Sequence, residues 1–415
     1  MRRTIDRYAL PVTAAAAGLV LLATAILAAA GIARVVTATG GAGGDFLSFY
    51  AAGQLVRTDA GRLYDVAAQA AAQRALYPGT LAHATGYPLP VVAAWLFAPL
   101  TALPFAAAYA VWTAANVALL GGVAWVFARE LRGVPRLPRR VFLAAFVTSI
   151  PVVANVVFGQ VDFIILGALL GAWLLLRDGR PAWAGVALAL VVLKPQFLIG
   201  VVPMLLVARQ WRTLAALCGA GAALIVVPAL LTDPATLADN VRYIAHYPGA
   251  GTDLQVNAAM MSNWRGLVVS VTGRDDARWW APGLAAIGVA ALALAAQRWR
   301  VGAGSVTAQG YALAVVVPLL ASPHLHTQSL VLLFVPAALG LQAWYAGARG
   351  ATRADDERAA SLLLALHVAL FACWLSTALG FAPGVLVVGA TFWWCAYAWR
   401  EASEQRVGMA RPRAA

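Results

Sequence analysis

Charge is scarce in this chain. Only 11% of its 415 residues are Asp, Glu, Lys or Arg, while 62% are hydrophobic and the mean hydropathy is +0.77. Soluble domains carry about a quarter charged residues, so a soluble globular fold is excluded. Lysine is scarcer still: Lys194 stands alone. Cysteine is limited to Cys218, Cys373 and Cys395, an odd number placed in apolar segments. They read as small core residues, which excludes a disulfide framework and a cysteine metal site. The chain has no P-loop, no dinucleotide-binding fingerprint and no nucleophile elbow. No Asp-x-Asp pair occurs in its first long polar segment, so a metal-bound nucleotide-sugar site has no signature here. No metal and no cofactor is expected.

What is present is a series of apolar runs of about 16–25 residues, the length that crosses a bilayer as a helix. They predict an all-α polytopic membrane protein with about 10–12 crossings. One embedded domain covers 1–400, and 401–415 forms a basic cytoplasmic tail. The net charge of +13 comes from Arg residues in short loops between the runs. That distribution points to the positive-inside bias and to anionic lipid as partner, not to nucleic acid. Arg2, Arg3 and Arg7 place the N-terminus in the cytoplasm. The first run, about 10–33, is too long for the core of a signal peptide and reads as an uncleaved helix.

Two long polar segments then fall on the outer side, about 34–87 and about 232–281. The first contains His83 and is expected to hold short helices near 46–57 and 66–76. The second contains Asp239, His246, Tyr247, Asp253 and Arg265. Residues 88–103 are apolar but short, and parity with the basic loop at Arg129–Arg140 makes them a re-entrant or surface hairpin. A helix over about 141–158 stops at Gly159-Gln160-Val161-Asp162. The run from Trp183 to Ala208 is broken at Lys194-Pro195-Gln196, since Pro interrupts the helical ladder.

The polar residues sort by side. At the mouth of the first helix lies Gly43-Gly44-Asp45-Phe46-Leu47-Ser48-Phe49-Tyr50, preceded by Gly40 and Gly41. Phe46, Phe49 and Tyr50 recur at i, i+3 and i+4, which predicts a short amphipathic helix in the interface. Asp45 is then either the cap of that helix or a carboxylate presented to a substrate. Lys194 at membrane depth is either snorkelling or part of a site, and there it could hold a phosphate as a point charge. His324 and His326 lack a third ligand for metal. They are either satisfied interfacial residues or hydrogen-bonding partners of a phosphate or sugar. Gln160 and Asp162 complete the outward-facing set.

These pieces resemble glycosyltransferase family 87, polytopic transferases of the GT-C fold. The resemblance rests on Gly44-Asp45-Phe46 with Tyr50-Ala51-Ala52, Gly61-Arg62-Leu63-Tyr64, Tyr87-Pro88, Trp112 with Asn116, Gly159-Gln160, Leu193-Lys194-Pro195 and Ser322-Pro323 before the His pair. The mycobacterial phosphatidylinositol-mannoside mannosyltransferases are among the family's members. The resemblance implies a polyprenyl-phosphate sugar as donor, most simply of mannose. It implies a lipid or glycan acceptor, a bacterial plasma membrane, and Asp45 as the base of an inverting transfer. The donor phosphate is then expected on Lys194, His324, His326 and Gln160. Acceptor or sugar contacts are expected from Tyr50, Tyr64 and Asp162, although the family usually has Asn where Asp162 stands. A polytopic transporter is the rival reading, suggested by the broken helix at Lys194.

Overall fold

The computed structural model describes residues 2–36, 44–76, 84–245, 254–255, 257–301, 304–346 and 351–399. Gly40, Gly41, Gly43, His83, His246, Tyr247, Asp253 and the 401–415 tail lie outside them. In chain order the elements are α1 (Arg2–Val36), α2 (Asp45–Thr58), α3 (Val66–Leu76), β1 (Ala84–Thr85), α4 (Val91–Phe97), α5 (Phe105–Glu130), α6 (Arg136–Thr148) and α7 (Ile150–Phe158). There follow α8 (Asp162–Arg177), α9 (Pro181–Ala189), α10 (Leu198–Val207), α11 (Trp211–Thr232), α12 (Ala235–Ala245), β2 (Leu254–Gln255) and α13 (Trp264–Thr272). The chain closes with α14 (Ala277–Val301), α15 (Ala308–Ala321), α16 (Phe334–Ala346), α17 (Arg353–Ala378) and α18 (Gly384–Trp393).

Among the described residues six stretches are long and apolar enough to cross a membrane: Phe105–Gly133, Arg136–Phe158, Trp211–Thr232, Ala277–Arg300, Thr327–Ala346 and Arg353–Ala378. Their outward faces leave large apolar side chains bare, with Trp125 at 61%, Val289 at 67% and Leu231 at 72% exposure. In water such faces would associate; against acyl chains they are solvated. The protein is an all-α polytopic membrane protein. Its main apolar core runs continuously from Phe46 to Trp399.

The hairpin expected at 88–103 is present as α4 and a following 3₁₀ turn, Ala98–Ala102. At 1.5–2.0 Å rise per residue the pair reaches only about 20 Å, short of a hydrocarbon core of about 30 Å. This hairpin changes the reading of α2. An amphipathic interfacial helix was expected, but residues 46–53 together with Leu55 and Val56 are buried. The hairpin covers the face that would have met the membrane surface. Phe97 sits 4.9 Å from Phe49 and 6.0 Å from Phe46, ring to ring, and Trp112 backs it at 4.6 Å.

Two breaks shape the spans. The predicted 141–158 helix is divided into α6 and α7 at Ser149, because Pro151 occupies the first turn of α7 and cannot continue a ladder. The predicted break at Lys194 also forms: α9 tightens into a 3₁₀ turn at Leu190–Leu193, and a second turn, Pro195–Phe197, restarts the chain into α10. The two long loops meet at one end of the bundle. β1 and β2 pair in parallel, Ala84 with Leu254 and Thr85 with Gln255, and Asn240 Nδ2 donates to Pro88 O at 3.3 Å. At the other end the loops are tied by the Arg177–Glu130 ion pair and by Gln342 Nε2 donating to Glu130 O at 2.9 Å.

Candidate active site

The site begins with two glycines. Gly44 precedes α2 at φ +49° and Gly159 ends α7 at φ +65°, a region L side chains seldom adopt. They pack reciprocally. A Cβ on Gly44 would lie 2.7 Å from the Phe158 ring, and one on Gly159 would lie 2.6 Å from Phe46 Cβ. Trp112 Nε1 donates to Gly159 O at 2.7 Å and Tyr109 Oη to Val157 O at 2.9 Å, which holds the turn in place. The start of α2 is thus pressed against the turn between α7 and α8.

That contact decides what Asp45 does. It is the first residue of α2, Gly44 occupies the cap position, and no side chain caps the helix. Capping by Asp45, one of its two expected roles, is therefore not what the carboxylate does. Its Oδ2 accepts a hydrogen bond from Gln160 Nε2. Oδ1 makes no hydrogen bond among the described residues. By exposed area the side chain is only half-buried, yet the protein around the carboxyl is dense. Burial raises its pKa above the ordinary 3.8, and the Asp162 charge adds to that; the Lys194 charge and the Gln160 hydrogen bond oppose it and lose.

From Gln160 the contacts run inward. Lys194 Nζ donates to Gln160 Oε1 at 3.0 Å and to Asp162 Oδ1 and Oδ2 at 3.0 and 2.9 Å. Ser329 Oγ donates to Asp162 Oδ1 at 3.2 Å. Asp162 is wholly buried and Lys194 nearly so. These contacts bear on two expectations. An ammonium has three N–H donors; those of Lys194 are directed at Gln160 Oε1 and at the Asp162 carboxylate, so the charge is held by two side chains of the protein. Asp162 is the enclosed counter-ion of Lys194, not an exposed sugar contact. Its closeness to Lys194 also explains why Asp at this position is tolerated: the charge is paired.

Three and five residues beyond the end of α15, His324 and His326 stand edge-on with ring centroids 4.8 Å apart. Their loop is stitched to the second long segment. Ser262 N donates to Leu325 O at 2.6 Å, Asn263 Nδ2 to Ser322 O at 2.7 Å, and Ser262 Oγ lies 3.2 Å from Thr327 Oγ1. Burial lowers the His324 pKa well below 6.5, aided by His326, Lys194 and Arg265. Burial lowers that of His326 to about 4, aided by Lys194 and Arg265 and opposed by a backbone hydrogen bond at Met260. Both imidazoles are neutral at pH 7, able to donate an N–H but not a charge. Arg265 completes this corner: its guanidinium pairs with Asp275 at 2.5 and 2.9 Å and stacks over Trp280 at 4.8 Å. Sequence reading noted Arg265 without a role and passed over Ser329. The first follows the helix cap Asn263, and the second hides in an apolar run, so neither carried a local signal.

The tyrosines sit differently. Tyr50 Oη donates to Leu103 O at 2.8 Å and Tyr64 Oη to Leu89 O at 2.9 Å. Both hydroxyls anchor the 88–103 hairpin. Tyr64 does border a cleft of about 420 Å³ between the two long loops, lined also by Gly61, Asp65, Asp239, Arg242 and Tyr243. Among the described residues no three His, Cys, Asp or Glu side chains gather as a metal site.

The sequence profile of glycosyltransferase family 87 matches residues 85–323. This chain belongs to that family. The match covers more than half of the chain and takes in Gln160, Asp162 and Lys194, together with the Asp239 side of the cleft. Asp45 lies 40 residues before the start of the match, and His324 and His326 lie one and three residues past its end. No curated protein and no solved structure matches the chain. For a family 87 protein, the cluster from Asp45 to Ser329 is where glycosyl transfer is to be sought: it holds a half-open carboxylate at the end where both long loops meet.

Proposed function

We propose that this glycosyltransferase moves a hexose, mannose in the first instance, from a polyprenyl-phosphate sugar to a lipid or glycan acceptor, with inversion. The observation that carries the proposal is Asp45: one oxygen held by Gln160, the other open, the carboxyl's pKa raised by burial. The acceptor hydroxyl donates a hydrogen bond to Oδ1. As its oxygen bonds to the anomeric carbon, its proton passes to Asp45. The bond from that carbon to the phosphate oxygen breaks, and the electron pair leaves with polyprenyl phosphate. A raised pKa makes the carboxylate a stronger base. His324 donates an N–H bond to the phosphate, while His326, whose own N–H is given to the Met260 carbonyl, packs edge-on against the His324 ring. The cleft beside Tyr64 receives the acceptor's polar head, where carboxylates of Asp65 and Asp239 accept from hydroxyls. The site faces out of the cytoplasm, both termini lie inside, and the donor enters from the bilayer.

Family membership sets aside the transporter reading, and the break at Lys194 that suggested it is closed by the ion pair with Asp162. The test is direct. Purified protein is incubated with radiolabelled polyprenyl-phosphate mannose and a lipid extract, and the labelled product is identified. Asp45→Asn should lower turnover by about 10²–10⁴-fold, the usual worth of a general base. Wild-type turnover in that variant would remove Asp45 from the mechanism.

A further inference from the structure

Lys194 draws attention because a lone lysine in the apolar interior is costly unless it has a task. Its ammonium donates to Gln160 Oε1 at 3.0 Å and to the two oxygens of Asp162 at 3.0 and 2.9 Å. Asp162 is steadied from behind by Ser329. A primary amide has an acceptor end and a donor end. Because Lys194 faces the oxygen of Gln160, the NH₂ must face the other way, toward Asp45 Oδ2. Flipping that amide would set its NH₂ against the ammonium and its oxygen against the carboxylate, two repulsions in one move. The orientation of Gln160 is therefore dictated by the charge of Lys194, and the rotamer of Asp45 by Gln160.

We propose that Lys194 is a positioning residue: acting through Gln160, it locks the Asp45 carboxylate with Oδ2 tied down and Oδ1 turned to the acceptor hydroxyl. Asp162 and Ser329 hold the lysine in register. The inference rests on Asp45 being the base, and it gives the lone lysine a role other than phosphate binding. The charged groups facing Asp45 are Lys194 and Asp162, with the Gln160 amide between them. Lys194 and Gln160 both favour the ionised carboxylate, so losing either raises the pH at which Asp45 ionises.

Steady-state kinetics with polyprenyl-phosphate mannose and a purified acceptor lipid tests this with two variants. Gln160→Met breaks the relay but leaves the ion pair whole. Lys194→Met with Asp162→Asn removes both buried charges together, so neither is orphaned. In each, kcat should fall about 10- to 100-fold, the cost of a misplaced reacting group. The KM for donor should stay within about twofold, and the acid limb of kcat/KM should move to higher pH. Lys194→Arg, which keeps charge and donors, should restore the acid limb toward its original position. A donor KM raised about tenfold with kcat and the acid limb unmoved would make Lys194 a phosphate ligand and overturn the proposal. So would wild-type behaviour of Gln160→Met, which decides the matter even if the paired variant does not fold. Asp45→Asn separates the two layers: active, it sinks the base; inactive beside a normal Gln160→Met, it sinks only the positioning.

Discussion

At the residue scale the fold does not favour Asp45, the proposed base, in its ionised form. Burial raises the Asp45 pKa, so the folded state prefers the protonated side chain. Its stabilising contribution is therefore present at low pH and lost as pH rises through the folded-state value. Two outcomes follow at neutral pH. Asp45→Asn, which is never charged, should match or exceed the wild type in thermal unfolding midpoint while losing activity, a trade typical of functional groups. The acid limb of the wild-type kcat/KM profile should sit above pH 3.8, the ordinary carboxylate value. Gly159 gives a second prediction. An alanine there adds an unfavourable left-handed residue, about 1–2 kcal/mol, and places its Cβ against Phe46. Gly159→Ala should cut activity more than stability, since it pushes Gln160 and Asp45 apart. Equal losses of both, measured side by side, would show that the glycine serves folding alone.

At the scale of elements the decisive piece is the short hairpin at 88–103. It turns α2 from a surface helix into a buried one and gives Tyr50 and Tyr64 backbone partners in Leu103 and Leu89. The second element is the seam between the loops, where β1 and β2 pair and the cleft opens. If that cleft receives the acceptor, Asp239→Asn should raise the KM for acceptor about threefold to tenfold, the net worth of one hydrogen bond. The KM for donor should not change. Asp239 already pairs with Arg242 at 2.9 Å, so Arg242 variants are expected to move the same parameter. An unchanged acceptor KM in Asp239→Asn would place the acceptor elsewhere.

At the scale of the molecule, the two ends differ in kind. One end carries both long loops, the cleft and Asp45. The other carries short basic loops with the Arg177–Glu130 pair and the capped start of α17, where Thr352 and Asp355 form a reciprocal box. If the Asp45 end faces outward, single cysteines placed at Arg62 and Arg242 in a cysteine-free background should react with an impermeant thiol reagent in intact cells. Cysteines at Arg132 and Arg353 should react only after the membrane is opened. The reverse pattern would invert the orientation and with it the route of the donor.

The linear chain determined the class of protein and the break at Lys194, because these depend on local quantities: apolar length and the missing N–H of proline. It also singled out Asp45, Gln160, Asp162 and Lys194 as unusual, through position and scarcity. Only the tertiary structure decided how they act. Whether Lys194 snorkels or pairs inside the protein depends on a residue 32 positions away, and whether Asp45 caps a helix or meets Gln160 depends on one 115 positions away. Such pairings are set by how two glycine turns and a covering hairpin pack, a matter of shape in three dimensions that residue type and spacing do not encode locally.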